Sequence, residues 1–271
     1  MQASGGVQAE CCETTTRRDA LRYWWELFAI LTISQLKARY RRSFLGFMWS
    51  LAVPLFQIVV VGFVIQTLLQ HQIPNFTIKY LCGLLPWMYI NDAMLGACPT
   101  FLMFREVVKK IYFPRWILPL SISGSSLVHF FLSFMVLIGV FVVVGIKFHY
   151  SYLFLPVLLA LMVLMASGLA VLFSVMHTFY QDTEYALTTI MRVFMFITPV
   201  FYPTAEIPEK YQYWFLYNPV ATICEGFRGC LLRNEIPRAD HLLACLGFSL
   251  VCVLVGAAYY RARAAELPEV L

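Results

Sequence analysis

The sequence predicts an all-α polytopic membrane protein. It has six transmembrane helices, an N-terminal amphipathic interface helix, and re-entrant half-helices between spans five and six. Three observations predict this. First, 61% of the 271 residues are hydrophobic and 13% are charged, with a mean hydropathy of +0.73. Soluble domains run about 45–50% apolar and about 25% charged, so too little polar surface remains here to cover a water-soluble enzyme. Second, several stretches of bilayer length carry almost no charge. Third, the Lys and Arg residues gather in alternate loops. The net charge of +5, from 20 Lys+Arg against 15 Asp+Glu, marks one membrane face in so apolar a chain, and not a nucleic-acid surface.

Residues 1–19 hold Glu10, Arg17, Arg18 and Asp19 without an apolar run, so they read as a cytoplasmic tail and not as a signal peptide. Residues 20–42 cannot span, because only ten uncharged residues separate Glu26 from Lys37. Leu21, Trp24, Trp25, Phe28 and Leu31 fall on one helical face, as in an amphipathic helix lying in the interface with its tryptophans at headgroup depth. Such a helix is either a passive anchor or a gate that meets the headgroup of an amphiphilic substrate. Arg39, Tyr40, Arg41 and Arg42 follow. They fit a basic cluster attracted to anionic lipid, and equally a set of guanidinium forks for a lipid-linked pyrophosphate.

The spans come next, within a single domain over 43–260. Span one is the 26-residue apolar stretch Phe44–Leu69, about 39 Å as helix and kinked or loosened at Pro54. Span two is Tyr80–Phe104, interrupted by Asp92. Spans three and four are Trp116–Ile146 and Phe148–Gln181, span five is Tyr185–Ala205 with Arg192 inside it, and span six is His241–Tyr260. Asp92 and Arg192 lie at comparable depths, and intramembrane charges are costly unless paired, so the two are expected to pair. Six spans put both ends on one side. The N-terminal segment, the loop after span two and the tail 261–271 together hold thirteen Lys and Arg, against six on the opposite side. The positive-inside rule therefore places both termini in the cytoplasm.

Two cytoplasmic loops are short and polar. One is 105–115, with Glu106, Lys109, Lys110, Phe113 and Arg115. The other is His177–Tyr185, with Gln181 and Asp182. They are plain connectors unless a partner docks on them. The outer segment 206–240 is aromatic, with Tyr211, Tyr213, Trp214, Phe215 and Tyr217 before Asn218-Pro219 and a short helical pattern ending at Arg228. An Asn-Pro break between two short patterns suggests half-helices that dip into the membrane and return, which backbone tolerates only under protein or beside a wet cavity. The aromatics serve either as an interfacial belt or as a platform for sugar rings.

No catalytic residue stands out. The five histidines are isolated, and no metal-ligand spacing occurs. The eight cysteines read mostly as small buried apolar residues, and a Cys224–Cys230 disulfide is open but not favoured. The chain lacks a Gly-x-x-x-x-Gly-Lys-Ser/Thr loop, so it has no cofactor of its own and any ATP must be bound by a partner.

In series, the motifs are specific. Arg39-Tyr40-Arg41-Arg42-Ser43-Phe44-Leu45-Gly46-Phe47-Met48-Trp49-Ser50 with Pro54-Leu55, then Gly83-Leu84-Leu85-Pro86-Trp87, then 109–115 with Leu118-Pro119-Leu120-Ser121 resemble the membrane permeases of polysaccharide ABC exporters. So do Thr198-Pro199-Val200-Phe201-Tyr202-Pro203, Tyr217-Asn218-Pro219 and Glu225-Gly226-Phe227-Arg228. That family exports O-antigen, capsule and teichoic acid. Where the family usually has Arg-Asp, this chain has Gln181-Asp182.

The resemblance implies a homodimer with two separate ABC ATPases that bind MgATP. It implies loops 105–115 and 177–185 as coupling helices, and a passage between the permeases near spans one and five. It also implies a re-entrant outer gate over 206–228, and Tyr202, Tyr211, Tyr213, Trp214, Phe215, Tyr217, Asn218 and Arg228 as channel or gate residues. The implied cargo is a polyprenyl-pyrophosphate-linked glycan, moved through the bacterial inner membrane among its lipids, with no nucleic acid. The alternatives are an exporter of the same fold for a drug or lipid, and a membrane glycosyltransferase or polymerase. The last would need an acidic cluster, for which Asp92 alone is thin support.

Overall fold

The computed structural model describes residues 17–40, 48–64, 76–110, 113–146, 149–200, 210 and 217–271, and the regular structure among them is helical. In chain order the helices are α1 (Arg17–Tyr40), α2 (Met48–Gly62), α3 (Phe76–Ala97), α4 (Thr100–Met103), α5 (Arg105–Lys110) and α6 (Ile117–Val144). Then come α7 (Leu155–Phe179), α8 (Asp182–Ile197), α9 (Pro219–Arg228), α10 (Ala239–Arg263) and α11 (Leu267–Val270). A 3-10 turn, Tyr150–Phe154, leads into α7, and a π turn, Gly229–Arg233, follows α9.

Three helical stretches among the described residues are long and apolar enough to cross a bilayer: Ile117–Val144, Tyr150–Phe179 and Ala239–Arg263, of 28, 30 and 25 residues. They lie within a few residues of expected spans three, four and six. Gly145 ends α6 in the left-handed conformation at φ 77°, where a side chain would be strained. The second expected span ends early. α3 stops at Ala97, and Pro99 separates it from the single turn of α4. Proline has no amide to donate and disfavours helical backbone before it, so the apolar run to Phe104 is not one helix. α2 covers 15 residues of expected span one, and α8 covers residues 185–197 of expected span five; residues 44–47, 65–69 and 201–205 lie outside the described residues. α2 continues through Pro54 without a backbone break.

The largest helix–helix contact is between α7 and α10. Glycine makes it that close. A Cβ on Gly168 would stand 2.5 Å from the Val253 nitrogen and 2.6 Å from the Cys252 carbonyl carbon, and one on Gly256 would meet the Gly168 carbonyl oxygen. In a lipid medium helices associate through such backbone approach, because lipid tails supply no hydrophobic drive between them. Hydroxyls inside the bundle bond to nearby partners. Ser249 donates to the Cys245 carbonyl at 2.8 Å and Thr178 to the Ser174 carbonyl at 2.9 Å, while Tyr89 and Ser123 join α3 to α6 at 2.9 Å. Cys82, Cys98, Cys224, Cys230, Cys245 and Cys252 are free and buried, so the Cys224–Cys230 disulfide does not form.

The buried side chains fall into two clusters that share no residue. The larger one runs through α3, α6, α7, α9 and α10. The smaller one, around Phe101, Val108, Phe113, Leu118, Val175, Leu267 and Leu271, gathers α4, α5, α11 and the adjoining ends of α6 and α7.

Candidate functional site

Two ends of the bundle carry the polar chemistry. At the first, α1 lies against α6. A Cβ on Gly124 would stand 2.8 Å from the Phe28 ring and 3.1 Å from Thr32 Oγ1, so this glycine is the seat of α1. Leu27 and Leu31 reach the smaller cluster, while Tyr23, Trp25, Ile30 and Ile33 stay outward. The expected apolar face is therefore divided. Phe28 and Leu31 pack inward and Trp25 is 70% exposed, with Trp24 between these extremes. α1 runs unbroken from Arg17 to Tyr40 and so begins three residues before the expected start at residue 20.

The last turn of α1 borders a cleft of about 520 Å³ whose lining includes Gln35, Arg39, Asp92, Ser125, Ser126 and Glu184. Arg39 donates to Asp92 Oδ2 at 3.1 Å. This overturns the expected Asp92–Arg192 pair. The physical reason is that α1 docks on α6 and brings its own guanidinium to α3, while Arg192 is exposed on α8 and joins no ion pair among the described residues. Thr32 Oγ1 and Gln35 Nε2 are buried here with no hydrogen-bond partner among the described residues. The backbone of Tyr40 completes α1, and its side chain, with Arg41 and Arg42, lies outside the described residues.

The Arg39–Asp92 bridge is partly exposed, so it contributes about 0.2–1 kcal/mol. It fixes where the end of α1 sits more than it stabilises the fold. Arg39→Asp and Asp92→Arg are each expected to raise hydrogen exchange over the last turns of α1. The double swap is expected to restore protection. Equal exchange in single and double variants would refute the pair.

Beside the cleft, α5 exposes Arg105, Glu106, Lys109 and Lys110 and buries Val108. Lys110 Nζ reaches Glu106 Oε2 at 2.8 Å across one turn. Phe113, 8% exposed, lies in the smaller cluster, and Arg115 donates to the Ala264 carbonyl at 2.9 Å. Of the five expected docking residues in this loop, three thus face outward and two hold the loop down. Gln181 and Asp182 are exposed at the turn into α8, and Glu184 lies 3.5 Å from His177 Nε2.

The opposite end is organised by Arg228, which is 1% exposed. Its Nε donates to the Lys79 carbonyl at 3.0 Å. Its NH2 donates to the Pro199 and Val200 carbonyls at 3.1 and 3.0 Å, and its NH1 to Glu225 Oε2 at 2.5 Å. Glu225 also takes Arg233 at 2.5 Å. α9, at 10 residues, is too short to cross a bilayer. Burial acts to raise the Glu225 pKa, and the Arg228 and Arg233 guanidiniums more than offset it, so the carboxyl sits below its ordinary value. Gly83 makes room for the guanidinium, since a Cβ there would collide with Arg228 NH2.

Arg228, expected among the channel and gate residues, is thus buried within the chain and donates to four acceptors there. Asn218, another expected gate residue, caps α9, its Oδ1 accepting from the Val220 amide at 3.0 Å. Tyr217 meets the His241 ring edge-on at 5.5 Å. Tyr202, Tyr211, Tyr213, Trp214 and Phe215, and with them the first half-helix, lie outside the described residues.

The spacing of Glu225 and Arg228 already puts them on one helical face, a signal for their pairing that sequence reasoning passed over. The seats at Gly124, Gly168 and Gly256 were equally unread, because a glycine in an apolar run shows nothing of what approaches it.

The family model described as ABC-2 type transporter matches residues 26–232. The chain is 27% identical over 252 residues to an O-antigen export system permease protein, RfbA, of Klebsiella pneumoniae, covering 93% of this chain and 97% of that protein. It is 24% identical over 245 residues to an O-antigen export system permease protein, RfbA, of Myxococcus xanthus, covering 90% and 94%. It is 21% identical over 243 residues to the polysialic acid transport protein KpsM of Escherichia coli, covering 86% and 92%.

Proposed function

The chain belongs to the ABC-2 transporter membrane family, and on that premise we propose that it is the permease subunit of an ATP-driven exporter that carries a polyprenyl-pyrophosphate-linked polysaccharide across a bacterial inner membrane. In this reading the chain crosses the membrane six times with both ends in the cytoplasm. It pairs with a second copy and with two ATPase subunits that bind MgATP. The observation that carries the reading is the likeness to O-antigen export permeases along nearly the whole of both chains.

The structure supports a division of labour. α5 is a short charged turn pinned by Val108, with Phe113 and Arg115 holding the chain behind it. A push on its outward face is delivered to a packed cluster and not lost in a floppy loop. In this reading the basic run Arg39-Tyr40-Arg41-Arg42, and not the cleft that Asp92 and Glu184 line, meets the pyrophosphate end of the cargo. Re-entrant half-helices would close the outer side.

Deleting the gene is expected to leave the completed glycan inside the cell, where it is found by fractionation. The purified chain in vesicles is expected to move nothing until its ATPase is added. Transport by the chain alone would overturn the reading. Reversing Lys109 and Lys110 to Glu places like charge where a partner docks. It should lower export and ATPase co-purification about tenfold without lowering thermal stability, because both side chains are exposed.

A further inference from the structure

α8 presents two opposed lines. Leu187 and Met191 are buried against the bundle. On the far side stand Tyr185, Thr189, Arg192 and Phe196, at i, i+4, i+7 and i+11, a single stripe about 16 Å long. Tyr185 is 78% and Phe196 67% exposed, and Thr189 and Arg192 are also exposed. Arg192 joins no ion pair among the described residues. A guanidinium about 15 Å along α8 from its charged start is costly against lipid tails, so this line faces water or protein.

We infer that the Tyr185–Thr189–Arg192–Phe196 line is a cargo-contacting track, with Arg192 selecting a glycan whose repeating unit carries an acidic group, a carboxylate or a phosphodiester. The inference rests on the export reading above and adds the charge class of the cargo. Aromatic rings at both ends offer flat surfaces to the C–H faces of sugars. Between them the Arg192 guanidinium fork offers donors to an oxyanion, while the Thr189 hydroxyl donates to the Tyr185 carbonyl at 3.0 Å. Depth separates this from the pyrophosphate of the lipid carrier. That group belongs with the headgroups at the interface, whereas Arg192 stands well inside, between two sugar platforms, where the middle of a chain passes.

The test uses the intact exporter in its own cells. Surface glycan is quantified, its sugar composition determined, and co-purification of the ATPase measured in parallel. Arg192→Gln is expected to lower surface glycan roughly tenfold with complex yield unchanged, and Arg192→Lys to keep most of it. The native glycan is expected to contain a uronate, another carboxylated sugar or a phosphodiester in each repeat. A neutral repeat, full export by Arg192→Gln, or loss of the complex in that variant would each overturn the assignment, the last by showing that Arg192 faces a subunit. If deleting the chain leaves surface glycan unchanged, the export reading itself fails, a result separate from all three.

Discussion

Replacing Arg228 by methionine is expected to destabilise the protein by about 3–5 kcal/mol, the scale for removing one partner of a buried ion pair. The apolar stem is kept and the charge is lost. The Lys79, Pro199 and Val200 carbonyls then lose their donor inside the protein, and Glu225 keeps Arg233 alone. Arg228→Lys is expected to recover only part of the loss, because one ammonium cannot address acceptors spread around a planar fork. The decisive variant is Arg228→Met with Glu225→Gln. Removing the undercompensated carboxylate should make the double variant more stable than Arg228→Met alone, as read by thermal unfolding in detergent. The sign of the pH dependence follows. Since the Glu225 pKa is lower in the folded protein, this pair's contribution is complete above the ordinary glutamate value of about 4.5 and is lost as pH falls through the lower folded value.

The second large effect is expected at Gly168. Even alanine there meets main-chain atoms of residues 252 and 253 at 2.5–2.8 Å, and no rotamer moves a main chain aside. Gly168→Ala is expected to cost about 1–3 kcal/mol, the range for overpacking, and Gly168→Leu to cost more and abolish a monodisperse peak in size-exclusion chromatography. Gly139→Ala and Gly247→Ala are the controls. Nothing lies within 4 Å of a Cβ at either position, and alanine suits a helix better than glycine, so both are expected to be neutral or slightly stabilising. If Gly168→Ala matched these controls, the close approach of α7 and α10 would be refuted.

What was legible in the sequence follows the physics each signal reports. The absence of charge tracks the bilayer interior, so α6, the stretch to Phe179, and α10 were placed within a few residues. Apolarity is blind to chain geometry, so the run through Cys98-Pro99 looked continuous although the backbone breaks there. Asp92 was recognised as needing a partner, because an intramembrane charge has that cost wherever the fold puts it. Its partner was not legible. Arg39 and Arg192 are both distant in sequence, and only the docking of α1 across Gly124 decides between them. Arg228 was singled out but its burial was not legible, since whether an arginine faces a passage or an interior depends on the Lys79 and Pro199 carbonyls, which belong to α3 and to the chain just past α8.

The guanidinium of Arg228 is a keystone shared by three arches: the first turn of α3, the chain just past α8, and α9. No one of the three can drift while the others keep their places, so the three segments shift together or not at all.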